Sequence, residues 1–452
     1  MKKFLAALAV AVVLWGCIAG ISACSYEKYH KISSVQEMYG IEGGKNYELT
    51  CDIDFAGQLW SPLPVRNFKG NGHKICNANV NGLYGDYDNK AGFFAEAYGI
   101  SNVVFENISV TATFPTSAEG IICGGIVCGY GEHYGSNSLN LENIIVKNCS
   151  IVISSLAKYN MYIGGICGYS SLETTDCKVE NCTITVVAAK SSNSWLHVGG
   201  LIGNSYNKNI SDCKFINSTL NCTGLSYVNV GGIVGEMRNG GGNILNCTAA
   251  DNEISLDTTD GAYSCRLGSI AGNVDSDRSE IENIGAKGNT LTVQARQSYT
   301  VGGVIGRCLG TVKNSLGDGN SITASLAVND DKSAAYVGGF AGSNYGSVSR
   351  CVVQNCTVKG TQFGTSYQTS IGANKFTSGF AGYSTGSLAY CGINNNSVSG
   401  GLDYSFTPRQ DCIFNCLLDA NESEWEKVIN NLNLDLNLWS YENGLKLNIL
   451  ES

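Results

Sequence analysis

The chain has 452 residues, of which 56 are glycine and only 4 are proline, and its formal net charge at pH 7 is −9. This length exceeds what one ordinary hydrophobic core can organise, but a repeat array escapes that limit because each unit packs only on its neighbours. The scarcity of proline argues against a disordered linker protein. The acidic balance, without any stretch rich in lysine and arginine, argues against nucleic acid as a partner.

The N-terminus has the form of an export signal. Two lysines precede an apolar stretch from Phe4 to Leu14. The sequence Ile21-Ser22-Ala23-Cys24 then resembles the bacterial lipobox, in which the cysteine is lipidated and becomes the first residue of the mature protein. We therefore expect residues 1–23 to be a lipoprotein-type signal peptide and Cys24 to carry a lipid that anchors the protein to a membrane.

Two alternatives to this anchor stay open. Cys17 is a rival lipidation site, although the bulky Trp15 fits poorly beside a cleavage point. An ordinary secretory signal, cut near Ala23, would release the protein. No apolar stretch after Cys24 is long enough to span a bilayer, so the expected location is the cell envelope or cell surface with a lipid anchor, or else the secreted fraction.

A glycine-rich segment recurs along the chain at intervals of 32 to 40 residues, which is typical of a repeat architecture. Five copies begin with a glycine pair: Gly164–Gly165, Gly199–Gly200, Gly231–Gly232, Gly302–Gly303 and Gly338–Gly339. Looser copies begin at Ala91, Gly124, Gly268 and Ser378, which makes nine in all.

Two further columns follow each glycine-rich segment. One holds a branched aliphatic residue in every copy: Val110, Ile151, Ile184, Leu220, Ile254, Leu291, Ile322, Val358 and Val398. The other is rich in asparagine: Asn107, Asn148, Asn181, Asn217, Asn355 and Asn395, with Asp251, Gly288 and Gly319 as substitutes. A fixed column of aliphatic residues predicts an inward-facing position that is buried in every repeat.

These patterns predict an all-β fold, a right-handed parallel β-helix (β-solenoid) with short terminal caps. Each coil is expected to hold about three short β segments, with glycine at the corners because the backbone there has a positive φ or approaches a neighbour closely. We expect residues 24–88 to form the anchor, the N-terminal cap and the first coils, and residues 89–408 to form the nine repeats. Residues 409–452 are expected to form a C-terminal cap with a short helix at 422–431.

The glycine-pair repeats resemble GLUG motifs, which occur in bacterial surface proteins and beside the catalytic parts of IgA1-specific metallo-endopeptidases. The segments Tyr47–Asp54, Trp60-Ser61-Pro62 and Phe68–Ile75 are similar to the usual lead-in of such proteins, with Lys69 where an aspartate is usual. Trp439–Leu447 resembles the closing strand. This resemblance implies the fold and an exported location, but no activity, because a fold does not determine function.

Cysteines recur at equivalent positions of the repeats. Cys177, Cys213, Cys351 and Cys391 share one column, and Cys149, Cys182 and Cys356 share another. Export favours disulfides, but parallel side chains in register hold their Cβ atoms slightly too far apart, and Val103, Ile144 and Ile284 take the first column elsewhere. We therefore expect mostly reduced, stacked thiols that act as small core residues.

No motif predicts a metal or cofactor site. The closest cysteine pairs, Cys351-x4-Cys356 and Cys412-x3-Cys416, have no second pair beside them, and the four histidines are scattered. No His-Glu-x-x-His is present, so the metallo-endopeptidase chemistry is not expected. Asp275–Glu280 lacks the full pattern of a calcium loop.

Two classes of function remain. A polysaccharide lyase or hydrolase on a pectate-lyase-like β-helix is the alternative; it needs carboxylates gathered in a groove, and the acidic residues of the repeats follow no column. The favoured function is non-enzymatic adhesion to a glycan or a host extracellular protein. Strand alternation predicts that aromatic residues near the glycine pairs point outward, and the candidate binding residues are Tyr162, Trp195, Tyr227, Tyr336 and Phe376.

Overall fold

The computed structural model describes residues 28–84, 89–132, 140–188, 194–224, 227–238, 240–260, 264–327, 333–360 and 375–400, together with short strands between 402 and 447. These residues form a parallel β-helix, and the predicted fold is confirmed. The signal peptide, Cys24 and the predicted helix at 422–431 lie outside the described residues. No helix among the described residues is long and apolar enough to cross a membrane.

A coil contains up to five short strand segments instead of the three expected from the sequence, and in some coils the third and fourth segments merge into one strand, as in Thr311–Asp318. In one coil the first strand is Trp195–Gly199, the second Ile202–Tyr206, the third Ile210–Ser211, the fourth Lys214–Ile216 and the fifth Thr219–Thr223. The second, third and fourth segments belong to one sheet that bends at two corners, which accounts for the difference. Each strand pairs in parallel with its equivalent in the next coil.

The first and fifth strands build two separate parallel sheets. The first strands are Lys90–Ala91, Ile122–Gly125, Met161–Gly164, Trp195–Gly199, Tyr227–Gly231, Ser264–Gly268, Tyr299–Gly302, Ala335–Gly338, Lys375–Ser378 and Leu402–Tyr404. The fifth strands are Leu59–Trp60, Asn79–Asn81, Ser109–Phe114, Ser150–Ser155, Thr183–Ala188, Thr219–Thr223, Glu253–Thr258, Thr290–Ala295, Ser321–Leu326, Thr357–Lys359 and Ser397–Ser399.

The remaining parallel strands form the large bent sheet. Its second-position strands are Cys128–Gly131, Cys167–Ser170, Ile202–Tyr206, Val234–Arg238, Ala271–Val274, Ile305–Cys308, Ala341–Asn344 and Ala381–Ser384. Its third- and fourth-position strands are Glu173–Thr175, Lys178–Glu180, Ile210–Ser211, Lys214–Ile216, Ile244–Leu245, Thr248–Ala250, Glu280–Glu282, Gly285–Lys287, Ser387–Ala389, Gly392–Asn394, Ile413–Phe414 and Leu417–Leu418. Longer or N-terminal members are Tyr29–Ile32, Asn46–Leu49, Ile53–Asp54, Leu63–Lys69, Lys74–Cys76, Phe94–Glu106, Asn140–Lys147, Thr311–Asp318 and Ser347–Gln354.

The predicted aliphatic column is confirmed: its members pair in register, and all are buried except Val398 in the last coil, which is partly buried. Leu220, for example, pairs with Ile184 in the preceding coil and with Ile254 in the next, and its exposed fraction is 0%. The column continues into the N-terminal coils through Val80 and Trp60. Burial of each such side chain contributes on the order of 1.5–3 kcal/mol to stability, so the column is a main source of cohesion between coils.

The asparagine column forms one of the corners of the coil. Asn181 and Asn217 have φ values of 53° and 49°, and Asp251 has 55°, all in the left-handed region. Asparagine, aspartate and glycine tolerate this region better than other residues, which explains the substitutions in the column. A second left-handed corner lies between the third and fourth strands of a coil, at residues such as Asp212 and Asn246.

Of the two alternatives that the sequence left open for the glycine pairs, the close approach applies, and none of these glycines has a positive φ. A Cβ atom on Gly199 would lie 1.9 Å from the carbonyl oxygen of Ile202, within the same bend. On Gly200 it would lie 2.0 Å from the carbonyl oxygen of Gly232 in the next coil. The same two clashes, at 2.0 to 2.2 Å, apply to Gly164, Gly165, Gly231, Gly232, Gly302, Gly303, Gly338 and Gly339, with Ser269 replacing glycine as the partner of Gly232.

The register corrects two predicted repeat starts by one residue. Gly125, not Gly124, pairs with Gly164. Likewise Ala91 pairs with Gly124, so Gly92 occupies the position equivalent to Gly125. The error arose because Gly124 and Gly125 look like a glycine pair in the sequence, but only Gly125 takes the position of the first glycine of a pair.

Inside the left-handed corner, a buried ladder ties the coils together. The Asn252 backbone N–H and side-chain amide both donate to Asn289 Oδ1, at 3.1 and 2.9 Å. The Asn289 backbone N–H and amide in turn donate to Asn320 Oδ1, at 3.0 and 3.1 Å. Ser218 and Cys182 take the equivalent position in earlier coils. The ladder satisfies backbone donors that would otherwise be buried without a partner.

The first coils are closed by a short helix and a cluster of aromatic rings. Ser34 caps the helix Val35–Met38 by accepting from the Glu37 N–H, and Met38 is fully buried. Trp60 donates through its indole N–H to the carbonyl of Phe93 at 2.6 Å, and their rings stack at 4.9 Å. Near the other end, Trp439–Tyr441 and Leu445–Leu447 form an antiparallel hairpin where a single closing strand was expected.

The two predicted cysteine columns are present, with Cys247 added to the first. Sixteen cysteines are described; all are free thiols, and all except Cys51 are buried. Burial raises the pKa of Cys265 and of Cys308 to about 12. The redox state in the cell stays a prediction.

Candidate functional site

A third glycine of each repeat brings the first and second strands of successive coils into contact. A Cβ atom on Gly203 would lie 2.5 Å from the backbone nitrogen of Ile163, and one on Gly235 would lie 2.6 Å from that of Val198. Only glycine permits this approach. The two strands therefore meet at a sharp angle, and the side chains that they direct away from the apolar interior face each other.

We call this junction the seam and define it by two rows of side chains. The first-strand row is Cys123, Tyr162, His197, Asn229, Arg266, Thr300, Tyr336 and Phe376. The second-strand row is Tyr130, Tyr169, Asn204, Glu236, Asn273, Arg307, Ser343 and Tyr383. Members of one coil are seven positions apart in the chain, as in His197 and Asn204.

The N-terminal part of the seam is aromatic. The rings of Tyr130 and Tyr169 stack at 5.0 Å, and Tyr162 stacks on His197 at 4.9 Å. Trp195 and Tyr227, just outside the first-strand row, stack on each other at 4.6 Å. The Trp195 and Tyr227 side chains are half-buried, so part of each ring reaches the surface.

The middle of the seam is polar and charged. His197 Nε2 lies 2.8 Å from Glu236 Oε2, and His197 Nδ1 lies 2.8 Å from the amide nitrogen of Asn204. Asn273 donates to Glu236 Oε1 at 3.0 Å. Burial on its own would raise the pKa of Glu236, but the charge of His197 and the hydrogen bonds from His197 and Asn273 outweigh it, so the pKa lies below its usual value.

Arg307 continues this network toward the next coils. Its Nη1 atom donates to Asp275 Oδ1 at 2.8 Å and to Asn273 Oδ1 at 3.3 Å. Its guanidinium also lies over the Tyr345 ring, 5.2 Å from the centroid. The polar middle is therefore connected to a second aromatic group.

The C-terminal part of the seam is again aromatic. Tyr336 stacks on Tyr383 at 5.0 Å and on Phe376 at 6.0 Å. Tyr345 contacts Tyr383 at 6.0 Å and has an exposed fraction of 44%. Burial raises the pKa of Tyr336 to about 12, so its hydroxyl stays protonated at neutral pH.

Four of the five candidate binding residues form two groups. Trp195 and Tyr227 lie together in the N-terminal aromatic part of the seam, and Tyr336 and Phe376 lie together in the C-terminal aromatic part. Tyr162 points away from the interior, as predicted, but the second strand covers it and only 3% of its surface is exposed. The prediction that the row points outward is thus correct in direction but wrong in exposure, because the seam closes over it.

Sequence analysis missed the second-strand row and the pair formed by His197 and Glu236. The row lies five positions after the first glycine of each repeat, which is a regular signal. It was not recognised because the residue type changes at nearly every coil, from tyrosine to asparagine, glutamate, arginine and serine. The histidine was judged to be isolated because its partner lies one coil further along the chain.

His197 and Glu236 could exchange a proton, but both side chains lie below the surface. His197 has no exposed surface and the Glu236 residue has an exposed fraction of 3%. Among the described residues, no group of three or more histidine, cysteine, aspartate or glutamate side chains is placed to hold a metal ion. The chemistry that the seam offers at its surface is ring stacking and hydrogen bonding.

A recess outside the seam is a weaker candidate. It lies on the first coils, has a volume of about 120 Å³ and is lined by residues that include Tyr29, Lys69, Ser101 and Glu142. Pockets that enclose small ligands usually have about 300–1,000 Å³.

A family model and a solved structure are similar to parts of this chain. No curated protein matches the chain. A solved structure described as a "putative immunoglobulin A1 protease" from Bacteroides ovatus aligns over 72% of this chain and 84% of its own, with 20% sequence identity and a TM-score of 0.35. Residues 333–361, which include the glycine pair Gly338–Gly339 and Tyr336, match the model of the GLUG motif. The protein is a parallel β-helix of stacked repeats that carries the GLUG motif.

Proposed function

We propose that the protein is a non-enzymatic cell-surface rod that adheres to a glycan or to a host extracellular protein through its seam. The observation that carries this proposal is the pair of half-exposed aromatic groups, Trp195 with Tyr227 and Tyr336 with Phe376, on one rigid face. Half-exposed rings stack on sugar rings or on partner side chains with little loss of conformational entropy. Exposed Tyr345 extends the second group through Tyr383, and exposed Tyr206 contacts Tyr169 in the N-terminal part of the seam.

Rigidity supports this assignment. The glycine contacts, the aliphatic column and the buried asparagine ladder hold the strands of the seam from below. A preorganised surface loses little conformational freedom on binding, which favours recognition by many weak contacts.

A direct test is a screen of the purified protein on arrays of glycans and extracellular-matrix proteins. We expect binding to at least one class of ligand, weakened in the double variant Trp195→Ala, Tyr227→Ala. Absence of binding to every ligand, or binding that the substitutions leave unchanged, would contradict the proposed site.

The lipid anchor at Cys24 is a separate part of the proposal. It rests on the lipobox-like sequence Ile21–Cys24. Wild-type protein should partition with membranes, and Cys24→Ala should release it or block its processing. A wild-type protein that is wholly secreted without lipid would refute the anchor and leave the binding surface untouched.

Polysaccharide cleavage is the second candidate, and one observation favours it. His197 and Glu236, from neighbouring coils, form a close pair beside the charged Arg307 and Asp275. Such a group could act in acid–base chemistry if a substrate opened the seam. Incubation with pectins and host glycans should yield no new reducing ends or unsaturated products; turnover that Glu236→Gln abolishes would favour this candidate over adhesion.

A further inference from the structure

The middle of the seam contains a guanidinium without a partner. Arg266 is partly exposed and lies in the first-strand row. Within the described part of the chain, it makes no hydrogen bond and no ion pair. Burial, and then the charge of Arg307, lower its pKa, and the more distant charges of Glu236 and Asp275 offset this only in part. A partly buried cation in this position gains free energy from an anion that binds to it.

A second donor without a partner lies one coil before Arg266. Asn229 pairs with Arg266 in the parallel register and has an exposed fraction of 1%, and its amide nitrogen has no hydrogen-bond partner. Adjacent parallel strands are about 4.8 Å apart. The two side chains are therefore neighbours in one row, with Arg266 partly exposed and the Asn229 amide buried.

The nearby carboxylates are already occupied. Glu236 Oε2 lies against His197, and Glu236 Oε1 accepts a hydrogen bond from Asn273. Asp275 accepts a hydrogen bond from Arg307. Arg238 lies close enough to lower the pKa of Glu236 further. This part of the seam therefore contains three arginines, Arg238, Arg266 and Arg307, and two carboxylates. The net charge of the whole chain is −9. The middle of the seam is a cationic spot on an acidic protein.

We propose that Asn229 and Arg266 bind the carboxylate of an acidic sugar in a glycan that lies along the seam. This inference rests on the proposed function and names its ligand class. The planar guanidinium matches a carboxylate in a two-point contact, and the Asn229 amide supplies a further donor. Tyr227 lies in the coil of Asn229 and Tyr336 lies two coils beyond Arg266, so aromatic rings flank the sugar on both sides.

Calorimetric titration with trigalacturonate tests this site. We expect binding by the full protein, and binding at least about tenfold weaker for the fully methyl-esterified trisaccharide and for Arg266→Gln, because each removes a charge-assisted contact. Asn229→Asp should weaken binding similarly by repelling the carboxylate. The matched control is Arg296→Gln, an exposed arginine outside the seam, which should bind as the wild type does.

A melting curve separates binding from folding. Because Arg266 is a partly buried charge without a hydrogen-bond or ion-pair partner among the described residues, Arg266→Gln should keep or raise the melting temperature while it weakens binding. A lower melting temperature together with unchanged binding would show a structural role and overturn the proposal. Equal affinity for inorganic sulfate, or for a sulfated neutral trisaccharide, would overturn the assignment to a carboxylate.

The outcome also distinguishes this inference from the function on which it rests. Tight binding of neutral glycans that is insensitive to Arg266→Gln would retain adhesion and refute the acidic-sugar site. Failure to bind neutral and acidic glycans and matrix proteins alike would refute both.

Discussion

The interior of the coil stack and the seam are formed by the same strands, but they follow opposite rules. In the interior, one residue type repeats from coil to coil, as in the column through Ile184, Leu220 and Ile254. In the seam, the residue type changes at nearly every step, as in His197, Asn229, Arg266 and Thr300. Packing between similar coils requires the same residue type at equivalent positions. A binding surface requires different residue types in a specific order along the stack. The comparison therefore separates the residues that hold the rod together from those available for recognition.

The largest effect is expected from a charge in the interior column. Leu220→Asp places an unpaired carboxylate in a fully buried position and should destabilise the protein by about 5 kcal/mol or more. Far-ultraviolet circular dichroism should show lost β structure or a much lower melting temperature. The control is Asn221→Asp on the exposed face of the same strand, where a change within about 0.5 kcal/mol is expected. Equal melting of both variants would place the column on the surface.

A methyl group at the bend between the two regions should have the next largest effect. In Gly200→Ala the new Cβ atom would lie 2.0 Å from the Gly232 carbonyl oxygen and 2.5 Å from the Phe215 ring, so the coils must separate. The expected loss is about 3 kcal/mol, measured by chemical denaturation. Gly40→Ala, whose Cβ would lie 3.3 Å from its nearest neighbour, is the control. A small loss at Gly200 would show that the seam strands do not need their close contact.

Removing one rung of the buried ladder tests whether polar groups also hold the interior. Asn289→Ala deprives the Asn252 N–H and amide of their acceptor and leaves the Ala249 carbonyl without its donor. The expected loss is about 2–3 kcal/mol. Asn289→Ser should lose less, since Ser218 serves in the equivalent position. If serine and alanine are equally tolerated, the ladder contributes little to stability.

A smaller effect, specific to the seam, is expected from a change of pH on the stability of the folded protein. The pKa of Glu236 is lowered from 4.5 in the folded protein, where His197 and Asn273 together outweigh burial. Its stabilisation is therefore complete above about pH 4.5 and is lost as the pH falls through the lower folded-state value. The melting temperature of the wild type should fall more steeply on acidification than that of Glu236→Gln. Parallel curves for the two proteins would contradict the lowered pKa.

The same contrast explains how much could be predicted from the sequence. The column through Leu220 and the corner column through Asn217 were correctly aligned, because their residue types repeat. The sequence left open whether the glycines have a positive φ or approach a neighbour closely; the glycine pairs make close contacts, and the asparagine column has the positive φ. Gly124 was displaced by one position because a neighbouring glycine offered an equally good match.

The candidate site was harder to predict because its pairs join different coils. His197 and Glu236 are 39 positions apart in the chain, and their contact depends on a register that is correct to one residue. The aromatic residues Trp195, Tyr227, Tyr336 and Phe376 were recognised from strand alternation. The burial of Tyr162 was not, because alternation gives the direction of a side chain but not what covers it.

The claim that the seam is a binding surface is tested most directly by comparing ligand binding of the wild type with that of the triple variant Trp195→Ala, Tyr227→Ala, Tyr336→Ala on glycan and matrix-protein arrays. The control is Val152→Ala, Val187→Ala, which removes exposed apolar side chains, 44% and 47% exposed, from the fifth-strand sheet. We predict that the triple variant keeps its β structure and loses binding, whereas the control binds as the wild type does. Undiminished binding by a folded triple variant would contradict the account.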